Sequence, residues 1–359
     1  MQRLRARTRT REYEVLVGRG VLGQLGGAWR QCSPGGRAVV CSDEHVAPRY
    51  MATVCGSLSE AGFAVSEIVI PAGEREKSLG RAQELYGVLY DRHVRRTDTL
   101  VALGGGVVGD LVGFVAATFQ RGVQLVQVPT TLVGQVDASL GGKVGVHFRS
   151  GRNYVGTFYQ PGLVLTDLDT LASLPESELR GGMAEVVKYA FLVGGSLWES
   201  VCGYASGHGG VTQDMVLACA RVKVKIVAGD EREESGERAL LNLGHTVGSA
   251  IEAAGAFREH THGEAVGLGL RAALWLSTKL TGLAQADADR GQELISALGL
   301  PERLADTAPE AVISLIARDK KAGSEGVRYV LLESLGRPRS GVKVPSALER
   351  EVVAWLTTR

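Results

Sequence analysis

The sequence predicts an α/β domain followed by a mainly helical one, and three observations carry that prediction. Short β-rich runs alternate with helix-length stretches through the first half, which argues for a mostly parallel sheet covered on both faces. After "LASLPESELRGG" the texture changes to helical periodicity, as in "GGMAEVVKYAFLVGG", "DMVLACARVKVKIVAG" and "GEAVGLGLRAALWLSTKL". The 359 residues, 45% of them hydrophobic, are enough for a large core and two domains. The change of texture places the domains at 1–178 and 179–359.

The opening "MQRLRARTRTREYEVLVG" sets Arg at every second position from 3 to 11. A basic nucleic-acid arm or a transit sequence is one reading; a surface strand leading into "YEVLVG" fits the same period of two. Further strands are expected at "RAVVCS", "AVSEIVI", "DTLVALGGG", "VQLVQVPT" and "LVLTDL", and "GVRYVLLES" is the one late strand expected. Lys and Arg number 40 against 39 Asp and Glu, so a net charge of +1 gives no field to attract nucleic acid or an anionic membrane. The five cysteines show no C-x-x-C spacing, and their odd number without an expected secretion signal points to reduced thiols and a cytoplasmic setting. No run approaches the roughly 18 apolar residues of a membrane span.

"DTLVALGGGVVGDLVGF" sets Gly104, Gly106 and Gly109 in G-x-G-x-x-G spacing between a strand and a helix. Such a turn either lets a helix pack closely on a strand or lets the backbone approach a pyrophosphate at the helix N-terminus. It follows about the fourth expected strand, and no acid stands roughly 20 residues on to hold a ribose. Asp43, at the end of "RAVVCSD", is placed for that role at a strand's C-terminal edge. "GGK" at Lys143 lacks the Ser or Thr of a Walker loop.

Glu234, Arg238, Asn242, His245 and Ser249 are spaced to share one helical face. From Arg238 on they lie within "RALLNLGHTVGSAIEAA", whose apolar neighbours predict a largely buried helix, so these polar groups need partners; a solvated stripe is the alternative. His245 lacks a second ligand one turn on, where Ser249 stands. His262 and Glu185 are candidates to complete a two-imidazole, one-carboxylate set that suits zinc with an open position. Lys188 follows Glu185 by three residues, on the same face. Composition alone does not choose these two among seven histidines.

A set of motifs does choose them. "PAGEREKSL", "GGGVVGDLVGFVAATFQRGV", "VPTTL", "VDASLGGK", "FYQP", "GMAEVVKYA", "DERE", "RALLNLGHT", "HGEAV" and "RDKKA" run in order along nearly the whole chain, which thereby resembles the 3-dehydroquinate synthases of the sugar-phosphate cyclase superfamily. The resemblance implies a Rossmann-like NAD-binding domain, a C-terminal helical metal-binding domain with the active site between them, and a homodimer. It implies NAD contacts at Asp43, at Gly73, Glu74, Arg75, Glu76 and Lys77, at Gly106, Val107, Val108, Gly109 and Asp110, at Thr130 and Thr131, at Lys143 and Arg152, and at Thr170, Leu171, Ala172 and Ser173. It implies Glu185, His245 and His262 as ligands for zinc or cobalt. Asp137, Lys143, Lys188, Lys223, Glu233 or Glu234, Arg238, Asn242 and Lys320 match substrate or catalytic positions, and Arg121 matches an arginine lent across the dimer. "DEREESGER" is one residue longer than the family spacing, which leaves Glu233 and Glu234 as alternatives.

The implied activity is a lyase step of the shikimate pathway, in aromatic amino-acid biosynthesis: conversion of 3-deoxy-D-arabino-heptulosonate 7-phosphate to 3-dehydroquinate and phosphate. Transient oxidation by NAD acidifies a C–H, phosphate leaves, hydride returns, and ring opening with aldol closure follows. Four polar positions depart from the family: Ser249 for His, Val144 for Thr, His147 for Asn and Arg152 for Lys. The other readings are a cyclase for a neutral heptulose phosphate, a related metal-dependent polyol dehydrogenase, and a catalytically weakened paralogue.

Overall fold

The computed structural model describes residues 1–33, 35–149, 151–256, 259–305, 307–318 and 327–358. By its contacts the chain forms two compact units, one of Met1–Leu174 with Thr212–Arg232 and one of Pro175–Val211 with Glu233–Arg359. The change of texture expected at 178 lies close to the first crossing. Residues 212–232, read by sequence as part of the helical domain, instead sit with the first unit.

The first unit holds strands β1 (Gln2–Arg7), β2 (Glu12–Gly18), β3 (Arg37–Asp43), β4 (Ala64–Ile70), β5 (Thr99–Gly104), β6 (Gln124–Pro129), β7 (Lys143–Phe148), β8 (Gly151–Phe158) and β9 (Leu163–Asp167). Its first helices are α1 (Leu25–Arg30), α2 (Ala47–Glu60), α3 (Leu79–Asp91) and α4 (Gly106–Thr118). Seven strands form one sheet in the order β1-β2-β9-β6-β5-β3-β4. All neighbours are parallel except β1 and β2, which pair antiparallel. Successive residues of β3 show why both faces are covered: Ala38 and Val40 pack with Leu25, Trp29, Val54 and Leu58 of α1 and α2. Val39 and Cys41 pack with Leu85 of α3 and Leu111 and Val115 of α4.

The chain then enters the second unit as α5 (Glu176–Val193) and α6 (Gly195–Ala205) and returns to the first as α7 (Gln213–Gly229). There α7 packs against β1, β2 and a π-turn at Gly134–Ala138. The second unit continues with α8 (His245–Ala254), α9 (His262–Leu280), α10 (Gln285–Ala297), α11 (Pro309–Arg318), the hairpin of β10 (Arg328–Ser334) and β11 (Arg337–Lys343), and α12 (Ser346–Thr358). Among the described residues, no helix is long and apolar enough to cross a membrane.

Three local expectations are corrected. The opening arginines form a strand of their own, β1, rather than a lead into β2, so the glycine turn follows the fifth strand and not the fourth. The late strand has a partner, β11, whose polar, exposed residues carry no apolar alternation. The polar stripe is not one helix: Glu237–Asn242 form a 3-10 turn, Gly244 is left-handed at φ 79°, and α8 begins only at His245. Nor is the stripe uniformly buried, since Arg238 is enclosed while Glu234 and Ser249 are exposed.

Candidate active site

In the second unit, α5 and α9 cross where neither carries a side chain. A Cβ on Gly263 would lie 2.2 Å from the Cα of Gly181, so the crossing needs glycine. Glu185 is one turn beyond Gly181 and His262 stands beside Gly263, so this approach brings carboxylate and imidazole together. A second close approach sets His245. A Cβ on Gly248 would be 2.8 Å from the Ala265 carbonyl oxygen, and one on Gly269 would be 1.9 Å from that of Gly244.

The outcome is a compact three-residue cluster. Ligand atoms of Glu185, His245 and His262 all lie within 4.8 Å of one another. Nε2 of His245 and Nε2 of His262 are each 3.4 Å from the same Glu185 oxygen, Oε1. The other oxygen, Oε2, is 2.5 Å from Nζ of Lys188, and both side chains are 2% exposed or less. Burial favours the neutral acid, but Lys188, then His245 and His262, outweigh it and hold the Glu185 carboxyl well below its ordinary range. Burial pushes His245 down, against the pull of Glu185. An ionised carboxylate beside a neutral imidazole is the form in which both bind a metal. Two nitrogens aimed at one buried carboxylate oxygen fit a divalent ion, with the three groups leaving coordination positions open.

Each imidazole is held from behind. Nδ1 of His245 lies 3.2 Å from the Leu243 carbonyl oxygen, and Nδ1 of His262 lies 3.2 Å from Oε2 of Glu252. Glu252, 6% exposed, was not singled out by sequence although it stands seven residues, two turns, beyond His245. Arg238 is 2% exposed, with Nε 3.9 Å from Oε1 of Glu233. Glu233, one of the two alternative acids, thus lies near Arg238, on a left-handed backbone at φ 60°, and both it and Glu234 are exposed. Asn242 is half-buried on the 3-10 turn. Lys320 lies outside the described residues.

In the first unit, the three glycines of the turn differ. A Cβ on Gly104 would meet Val108 at 2.7 Å, and one on Gly109 would meet Gln127 at 3.0 Å, so packing accounts for both. At Gly106, the first residue of α4, the nearest atom would be at 3.8 Å, an ordinary contact. Packing does not require that glycine, whereas the close approach of a phosphate to a helix N-terminus does. Val107, Gly109 and Asp110 share this first turn, while the Val108 side chain is in the core. Lys77, 5% exposed, pairs with Asp110 at 2.5 Å.

The neighbouring segments are tied to it. Gly73, Arg75 and Glu76 are on the surface turn before α3, and Glu74 accepts from His147 Nε2 at 2.9 Å and Arg152 at 2.6 Å. Asp43 Oδ1 accepts the backbone N–H groups of His45 and Val46, capping the loop beyond β3. The Thr130 N–H donates to the Gly104 carbonyl, and the Thr131 hydroxyl accepts from Gly134 N–H. Thr170, Leu171, Ala172 and Ser173 form a 3-10 turn in which Thr170 is buried and Ser173 Oγ lies 2.7 Å from the Tyr50 hydroxyl. Asp137 and Lys223 meet, Nζ lying 2.8 Å from Oδ2 and donating to the Asp137 carbonyl at 2.7 Å. Lys143 opens β7 on the surface, Val144 beneath it is core, and Arg121 is exposed with φ 62°.

Comparison with known proteins follows this geometry. Residues 67–181 match the family model for the 3-dehydroquinate synthase N-terminal domain and 182–322 that for its C-terminal domain. A 3-dehydroquinate synthase of Desulforamulus reducens is 41% identical over 332 residues, covering 91% of this chain and 92% of that protein. Among solved structures, a 2-deoxy-scyllo-inosose synthase in complex with carbaglucose-6-phosphate, NAD+ and Co2+ superposes with a TM-score of 0.87 at 23% identity, covering 98% of this chain and 99% of the other. A 2-epi-5-epi-valiolone synthase from Streptomyces hygroscopicus subsp. jinggangensis with NAD+ and Zn2+ bound gives 0.84 at 26% identity, covering 96% of each chain. With both family domains matched in order over residues 67–322 and a relative at that identity over nearly all of the chain, the chain belongs to the 3-dehydroquinate synthase family.

Proposed function

We propose that the protein converts 3-deoxy-D-arabino-heptulosonate 7-phosphate to 3-dehydroquinate and phosphate, using NAD catalytically and a divalent ion, zinc or cobalt. The observation that carries this reading is the cluster of His245 and His262 on the buried Glu185, with Lys188 against it. When bound, NAD would supply a reversible hydride acceptor and the metal ion would polarise an oxygen that becomes a carbonyl. Glu185, His245 and His262 would hold the ion. The open first turn of α4 at Gly106 would receive the pyrophosphate, with Asp43 toward a ribose.

The remaining roles follow from charge. Arg238, enclosed and always cationic, suits a charge-assisted bond to the substrate carboxylate, and a neutral heptulose would leave it without that anion. Lys143, Asn242 and Lys320 are assigned to phosphate, and Asp137 with Lys223 to orientation of the substrate. At Ser249 a hydroxyl can bond a phosphate oxygen but cannot carry a proton near neutral pH, so the departing phosphate itself takes the proton. The protein works as a homodimer in the cytoplasm, with Arg121, exposed on its turn, reaching the neighbouring subunit's substrate.

The test follows phosphate release by purified protein with NAD+, zinc and either the acidic or the neutral heptulose phosphate. Release from the acidic sugar, without accumulation of NADH, is expected. Glu185→Gln, His245→Ala and His262→Ala should each abolish release and lower bound zinc. Turnover of the neutral sugar alone would replace this reading by the other cyclase activity, and no release from either sugar would leave a binding paralogue.

A further inference from the structure

Resting on the metal reading above, we infer that Glu252 is a positioning residue: its carboxylate orients the His262 imidazole and places a further negative charge behind it. His262 is the first residue of α9, and its side chain is 40% exposed, so packing alone does not fix its ring. The backbone beneath it is fixed, because Thr261 and Glu264 close a reciprocal capping box around the start of the helix. What remains is rotation of the ring, and Glu252 removes it. Oε2 lies 3.2 Å from Nδ1, on the edge of the ring opposite to the Nε2 that faces Glu185.

The contact selects a tautomer. A carboxylate oxygen accepts, so Nδ1 carries the proton and Nε2 presents its lone pair toward the site. It also alters the charge balance. Glu185 and Lys188 are paired at 2.5 Å, so their charges cancel, and the two imidazoles are neutral when they ligate. Glu252 adds a second carboxylate group, one imidazole away from the site. His245 differs, since its Nδ1 faces only the Leu243 carbonyl, which orients without adding charge. Glu252 is not itself a member of the three-residue ligand cluster. Outer carboxylates that hold a ligating histidine typically change metal affinity by about 10–100-fold.

The test measures zinc and cobalt affinity of the apo protein by competition with a chelator, for the parent, Glu252→Gln, Glu252→Ala, His262→Ala and the Glu252→Ala/His262→Ala pair. Circular dichroism and thermal midpoints report folding. Glu252→Gln, which keeps the shape and loses the charge, is expected to bind about tenfold more weakly, and Glu252→Ala toward the upper end of 10–100-fold. In the His262→Ala background the second substitution should cost nothing further, because the carboxylate acts through that ring. Should Glu252→Ala not fold, Glu252→Gln carries the comparison with the same background test. Parental affinity in a folded Glu252→Gln, or an equal loss with and without His262, overturns the positioning role while leaving the metal reading intact. A parent that binds neither ion overturns both.

Discussion

At residue scale, the four positions expected to depart from the family differ in what each side chain touches. Val144 is a core residue packed against α4, and Gly113 faces it so closely that a Cβ there would meet Val144 at 2.4 Å. His147 and Arg152 share one oxygen of Glu74, tying β7 and β8 to the turn before α3. Ser249 is exposed one turn beyond His245, so restoring an imidazole there needs no repacking. Ser249→His should raise kcat by roughly tenfold or more, within the range for one placed acid–base group, and a pH–rate profile should gain a limb near the imidazole pKa. An unchanged kcat would mean that the proton is carried elsewhere. Arg238→Leu should lower kcat/KM for the acidic sugar by about 2–5 kcal/mol, the usual loss for truncating an enclosed charge pair, measured from initial rates against substrate.

At the scale of elements, the legible and illegible parts of the sequence divide along physical lines. The central parallel strands were readable because burial on both faces makes them short, nearly continuous apolar runs, as in "TLVALG". The β7–β8 hairpin was not, because "GRNYVGTF" is half exposed and rich in glycine. The stripe spacing from Glu234 to Ser249 obeys helical arithmetic, yet φ at Gly244 breaks it, and periodicity contains no φ. The three metal ligands came from motif resemblance; their support, the approach of Gly181 to Gly263, is invisible locally because its partners are 82 residues apart. That support is testable. Gly263→Ala should destabilise by about 1–3 kcal/mol or more, and lower bound zinc, whereas Gly203→Ala, with no atom within 4 Å of the added Cβ, should be neutral or stabilising by up to about 1 kcal/mol. Gly106→Ala separates cofactor from packing: chemical denaturation should change by no more than about 0.5 kcal/mol, while NAD affinity falls tenfold or more. Unaltered NAD affinity would refute the pyrophosphate assignment.

At the scale of the whole molecule, the order of the chain matters as much as its elements. Near the end of the returning segment stands Glu231, whose Oε1 is met by the Thr10 hydroxyl and by Gln160 Nε2 at 3.0 Å, and whose Oε2 accepts from the Thr10 N–H at 3.1 Å. Contacts 221 residues apart thus fasten the first hairpin to the last segment of its unit. Burial favours protonation of Glu231, but the bonds from Thr10, Gln160 and Thr8 outweigh it and lower its pKa. A lowered folded pKa contributes stability that is complete above the unfolded value of about 4.3 and is lost as pH falls through the folded value. Glu231→Gln should therefore lower the thermal midpoint at neutral pH, and the gap from the parent should narrow as the solution is acidified below about pH 4. A gap independent of pH would show that the carboxylate charge contributes nothing.

The alternating arginines that could pass for a nucleic-acid arm have a different consequence once they are placed on β1. Arg3, Arg5 and Arg7 point outward from the terminal strand of a seven-stranded sheet, with Arg3 near Glu14 and Arg5 and Arg7 on Glu12 across the hairpin. A terminal strand offers unpaired backbone groups on which a foreign strand can grow. Three cations against two carboxylates leave that border with an excess of positive charge, which disfavours edge-on pairing with another sheet of the same kind. The consequence of the basic start is thus a contact made less favourable rather than one that is formed.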